Sequence, residues 1–111
     1  MPEPITRTIL ERFDVPDSSY ETVVMLVEMA PQVNSGLHTH PGFDCAYLLN
    51  GSLTVLERDK PDKPIRAGES WHVVPGSVHE VKVGEKTTKV LAIYVVEKGK
   101  PLATPWTPQA N

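Results

Sequence analysis

Apolar residues in this chain come in short runs rich in Val, Ile, Leu and Tyr, and a proline or glycine interrupts them about every ten residues. No run has the length or the 3.6-residue period of an amphipathic helix, so the pattern points to strands and turns throughout. "YETVVMLVEMA" (20–30) is bounded by Pro16 and Pro31, and its β-branched Val23 and Val24 favour an extended backbone. "DCAYLLNGSLTVLE" (44–57) reads as two strands joined by a hairpin at Asn50-Gly51, two residues that tolerate positive φ. "ESWHVVP" (69–75), "SVHEVKV" (77–83) and "TTKVLAIYVVE" (87–97) supply further strands. The last is apolar on both faces, as expected of a strand buried between two layers. About eight strands and no helix predict an all-β fold, either a two-sheet sandwich or a jelly-roll barrel.

The whole chain, 1–111, reads as one domain, long enough for a single core. Residues 1–18 are expected to form an N-terminal arm. The tail, 98–111, carries three prolines and is expected to be extended, with Trp106 draped against something apolar. A net charge of −3, with acidic and basic residues scattered, leaves no basic stripe for a phosphate backbone, so no nucleic-acid partner is expected. No stretch is apolar enough for a membrane span or a secretory leader, and no membrane partner is expected. The single cysteine, Cys45, cannot form an internal disulfide, which fits a reducing, cytoplasmic setting.

The chemistry-bearing residues cluster around "HTHPGFD" (38–44). Two residues apart on a strand, His38 and His40 project from one face, whereas on a helix they would diverge. The spacing alone is weak, and an exposed histidine pair is the plain alternative. Asp44 follows across the Pro41-Gly42 corner and would bring a carboxylate to the same point, although aspartate is also common in turns. Downstream, "GESWHVVPGSVHEV" (68–81) puts His79 three residues after Gly76, where a neighbouring strand would present a third imidazole to the first two.

Together these segments resemble the paired motifs of the cupin superfamily, in the manner of small single-domain bacterial cupins of the quercetin-dioxygenase-like type. "HTHPGFDCAYLLNG" follows the first motif from His38 to Gly51, and "GESWHVVPGSVHEVKV" follows the second at Gly68, Gly76 and His79. The motifs differ at Asp44, where the family has glutamate, at Gln32 and Val83, where it has glycine and asparagine, and at Val74, where its proline stands one residue on at Pro75. The resemblance implies a double-stranded β-helix (jelly-roll barrel) and one divalent transition metal ion, Fe, Mn, Ni, Co or Zn. Its ligands would be His38, His40 and His79, with Asp44 as the carboxylate. It also implies a homodimer formed through one sheet.

An open metal site of this kind suits a mononuclear metal-dependent enzyme of dioxygenase-like type acting on a small organic substrate. Isomerase or lyase chemistry at the same site, or a non-catalytic cupin that binds a small ligand, are the alternatives. His72 and Tyr47 are secondary candidates for catalytic groups, although a lone strand histidine is more often structural. Phe43, Tyr47, Trp71 and Tyr94 either line a cavity or belong to the core. Tyr20 and Trp106 are candidates for contact with a second subunit, and Cys45 is expected to be buried and inert.

Overall fold

Residues 4–107 are described by a computed structural model. They form ten strands and no helix: β1 (Ile5–Asp14), β2 (Tyr20–Met29), β3 (His38–Thr39), β4 (Phe43–Asn50), β5 (Ser52–Glu57), β6 (Lys63–Arg66), β7 (Ser70–Val73), β8 (His79–Val83), β9 (Thr88–Glu97) and β10 (Thr104–Pro105). Two antiparallel five-stranded sheets result, one in the order β1-β2-β9-β4-β7 and the other in the order β10-β3-β8-β5-β6. Apart from the consecutive pairs β1-β2 and β5-β6, neighbours in each sheet are distant in sequence, as in the expected jelly roll.

The core lies between the two sheets. Val23, Met25, Val27 and Met29 of β2, Ala46 and Leu48 of β4, and Val90, Ala92, Tyr94 and Val96 of β9 face Leu53, Val55, Ile65 and Val83 of the second sheet. Alternation along β2, β4 and β9 puts every second residue into this core, which is the period-two pattern of a strand with one face against a second layer.

Four expectations need correction. Asn50-Gly51 joins no hairpin, because β4 belongs to the first sheet and β5 to the second. It is a corner: Gly51 alone takes a positive φ, +87°, where a two-residue type I′ hairpin needs two such residues. The Ser52 N–H then bonds the Thr88 hydroxyl, turning the chain onto the opposite sheet. Secondly, β9 is not sandwiched. Val90, Ala92, Tyr94 and Val96 enter the core, but Leu91, Ile93 and Val95 lie half-buried on the outer face of the first sheet.

Thirdly, the N-terminal arm is a strand over most of its length, since β1 pairs along the whole of β2 with one bulge between Ile9 and Glu11. As an edge strand it buries little, so its sequence lacks a clear apolar alternation. Fourthly, Cys45 is exposed on the outer face of β4.

Part of the tail joins the second sheet. β10 pairs with β3, the Trp106 N–H donates to the Leu37 carbonyl, and the Trp106 ring packs under the Arg58 guanidinium at 4.7 Å. Residues 1–3 and 108–111 of the arm and tail lie outside the described residues.

A methyl group at Gly51 would collide with the side chain and backbone of Thr88, at a φ that L-residues adopt only at a cost. Gly51→Ala is therefore expected to lower stability by about 2–3 kcal/mol in denaturant unfolding. A loss below a few tenths would contradict the corner geometry.

Candidate metal centre

Three strand ends bring the histidines together. β3 begins at His38 and β8 begins at His79, and the two residues are direct register partners. His40 follows one residue after β3 and shares its face with His38. Ring centroids are 4.3 Å apart for His38 and His79, 4.9 Å for His38 and His40, and 5.0 Å for His40 and His79. One ring nitrogen from each lies within 4.8 Å of the other two, close enough for the three to hold one metal ion. The Pro41-Gly42 corner then swings the chain from the second sheet to the first. Gly42 sits so close to the Val95 carbonyl that no Cβ fits, which fixes where β4 starts and hence where Asp44 points.

Each ring is held through its Nδ1 by a backbone carbonyl. His38 Nδ1 is 2.7 Å from Gly36 O, His40 Nδ1 is 2.7 Å from Leu102 O, and His79 Nδ1 is 3.0 Å from Ser77 O. A carbonyl oxygen only accepts, so each Nδ1 carries the proton and each Nε2 presents its lone pair. This is the arrangement in which imidazoles ligate metals, with the second nitrogen engaged by an outer acceptor.

Asp44 is buried beside them, with Oδ2 at 3.2 Å from His40 Nε2. His40 Nε2 and Asp44 Oδ1 are the two buried side-chain atoms without a hydrogen-bond partner among the described residues. A lone pair facing a carboxylate in a buried site calls for a positive charge between them, whether a proton or a cation. The titration tendencies agree. Burial pulls His40 down, but the nearby Asp44 carboxylate and the Leu102 carbonyl outweigh it, so its pKa is raised. His38 and His79 are lowered, chiefly by burial, and so favour the neutral, ligating form. Buried chemistry of this donor set fits a divalent ion held by His38, His40 and His79, with Asp44 next to it.

The cluster opens into a cavity of about 390 Å³ between the sheets. Its walls combine apolar side chains such as Val27, Met29 and Trp71 with the polar groups Arg7, Asp44 and Tyr94. Burial, then the charge of Asp44, raises the pKa of the Tyr94 phenol, which therefore stays protonated.

Other sequence candidates lie elsewhere. Tyr47 and Phe43 are exposed on the outer face of β4, and His72 is exposed on β7 in register with Cys45. None of the three faces the cavity, because each is odd in phase with Asp44 and Ala46 or with Trp71 and Val73. Trp71 and Tyr94 do line it. Ile5, Arg7 and the Leu102 carbonyl carry no signal in the sequence pattern. The first two fall in the supposed arm, and a backbone carbonyl leaves no mark in a sequence.

Residues 25–95 match the Cupin domain family. The chain belongs to that family. No curated protein matches it. Among solved structures, this cupin is similar to the polyketide cyclase RemF from Streptomyces resistomycificus (22% identity, 96% of this chain and 74% of that one, TM-score 0.74). It is also similar to the DMSP lyase DddQ from Ruegeria pomeroyi DSS-3 (16% identity, 85% of this chain, TM-score 0.73) and to KdgF from Halomonas sp. (17% identity, 85% of this chain and 82% of that one, TM-score 0.69). The chain spans 47% of the length of DddQ. At these identities the likeness is one of fold.

Because Gly42 abuts Val95, Gly42→Ala is expected to cost about 2–3 kcal/mol, while Pro41→Ala, at an exposed position, changes stability far less. Equal effects in chemical denaturation would contradict a close approach at this corner.

Proposed function

We propose that this cupin is a mononuclear metal-dependent enzyme acting on a small organic molecule, with His38, His40 and His79 as the metal ligands. The observation that carries the reading is three imidazoles, each bound at Nδ1 by a carbonyl and each with a ring nitrogen within 4.8 Å of the other two, beside a buried, partnerless carboxylate oxygen. A purely ligand-storing cupin would not need such charged groups in an otherwise apolar cavity.

Lewis-acid chemistry of the isomerase, lyase or cyclase kind is favoured by Asp44. Its carboxylate lies next to His40, outside the group of three nitrogens, and so keeps an oxygen free to take a proton from a bound molecule. Tyr94, held protonated, supplies a neutral donor on the same wall. A divalent ion at the three histidines would supply the polarisation of a substrate oxygen. The apolar part of the walls would hold the substrate's body. A polyketide cyclase and a DMSP lyase among the structural neighbours are in keeping with this choice. A dioxygenase-like reaction is the second reading, favoured by the same three-imidazole set, which suits Fe(II).

Metal analysis of protein purified without added metal is expected to show close to one equivalent in wild type and a large loss in His40→Ala. Equal, substoichiometric content in both would contradict the assignment. Anaerobic Fe(II) loading followed by substrate-dependent O2 uptake would move the reaction class to oxygenase.

The outer face of the first sheet supports the homodimer that the cupin resemblance implies. Across β1, β2, β9 and β4 run the rows Phe13, Thr22, Val95, Phe43; then Val24, Ile93, Cys45; then Leu26, Leu91, Tyr47. Phe13, Phe43 and Tyr47 are each more than two-fifths exposed, so a second copy of this face would bury a contiguous apolar surface. Light scattering is expected to give twice the chain mass of 12.3 kDa for wild type and half that for a Phe43→Ser, Tyr47→Glu double variant. A monomeric wild type would rule the dimer out.

A further inference from the structure

The cavity holds a cation that its own acid does not neutralise. Arg7 of β1 is in register with Val27, whose side chain is in the cavity wall, so the Arg7 side chain rises on the concave side of the sheet rather than on its outer face. It lines the same cavity as Asp44, Tyr94 and the three histidines. Most other basic residues with described contacts are engaged: Arg12 with Glu21, Lys60 with Glu57, Lys98 with Asp14, Lys100 with Glu97, and Arg58 over Trp106. Arg7 has no ion pair and no side-chain hydrogen bond among the described residues.

An edge-strand arginine pointing to solvent would be unremarkable in such a state. This one is exposed and lines the cavity together with Ile5, Val27 and Met29, a setting in which an arginine stem covers apolar surface while its charged head keeps access to water. Its charge is felt inside, since it opposes the rise in the Tyr94 phenol pKa. Asp44 is the sole carboxylate among the lining residues and is turned to His40. A divalent ion at the histidines would leave the cavity with a net positive charge at its floor and a second positive charge at its rim.

We infer that Arg7 is the specificity-determining residue for a carboxylate on the substrate, so that the molecule entering the cavity is an organic acid with an apolar body. The planar guanidinium matches a carboxylate in two parallel hydrogen bonds, and an amide or alcohol of the same shape forfeits that match. The apolar wall between Arg7 and the histidines would cover the body of the acid, leaving its reactive end toward His40 and Asp44. This inference rests on the reading of the cavity as a substrate site and deepens it by naming the substrate class.

Benzoate and its neutral isostere benzamide serve as probes, titrated calorimetrically into wild type, Arg7→Gln and Arg7→Lys, each in a zinc-loaded and a chelator-treated state, with metal content measured on the same samples. Wild type is expected to prefer benzoate by about tenfold in both states. Arg7→Gln is expected to abolish the preference in the chelator-treated state and to weaken benzoate binding by about tenfold in the zinc-loaded one, with zinc content unchanged. Arg7→Lys should retain part of the preference, since the charge remains and the fork is lost. A preference that survives Arg7→Gln in the chelator-treated protein, or its absence from wild type, would overturn the inference. An Arg7-dependent preference in protein that takes up no zinc would uphold it and sink the metal assignment instead.

Discussion

Three backbone carbonyls determine what the centre of this molecule can do. By accepting from the Nδ1–H groups of His38, His40 and His79, the carbonyls of Gly36, Leu102 and Ser77 choose one tautomer and one ring orientation for each imidazole. They come from the loop before β3, from the C-terminal tail and from the turn before β8, so the site exists only when three separate segments are docked. The turn before β8 has its own brace. The Ser77 hydroxyl donates to Glu57 at 2.6 Å, and this bond is the main reason the Glu57 carboxyl sits below its ordinary range. The tail is therefore part of the site and not an appendage.

The two-sheet scaffold explains why His38 and His79 favour the neutral form in a buried place. The second sheet supplies all three rings, on β3, just after it and on β8, while the first sheet supplies Asp44 from the opposite side of the cavity. Gly42, pressed against the Val95 carbonyl, sets the crossing between them. The imidazoles thus stand on one wall and the carboxylate on the other. Such a division leaves room for a cation between the walls, and Arg7 adds a separate positive group at the rim.

Much of this was legible in the residues. Period-two alternation revealed the strands, and the H-x-H spacing placed two rings on one face because strand side chains alternate. The match of both motifs to the cupin pattern brought in His79, which local patterns alone left as one option among several. What stayed hidden was non-local or carried by the backbone. Asn50-Gly51 resembles a hairpin turn, yet the choice between a hairpin and a corner depends on which strands lie beside β4 and β5, and those are β9 and β8, far away in sequence. Gln32, at a motif position expected to be glycine, nonetheless takes a left-handed φ of +65°, so the turn survives the substitution. An edge strand has no buried face to enforce alternation, so β1 reads as an arm and Arg7 within it carries no signal. The apolar outer side of β9 was visible, but whether another layer of the same chain covers it is decided by topology.

The most direct test of this account is the state of the imidazole nitrogens in solution, read from long-range ¹H–¹⁵N correlation spectra of the metal-free protein and then during titration with Zn²⁺. The account predicts that at neutral pH His38 and His79 show a protonated Nδ1 and a free Nε2, and that added zinc shifts the Nε2 resonances of His38, His40 and His79 together, saturating at one equivalent. Nε2-protonated rings at His38 and His79, or zinc that leaves any of the three Nε2 signals in place, would contradict it.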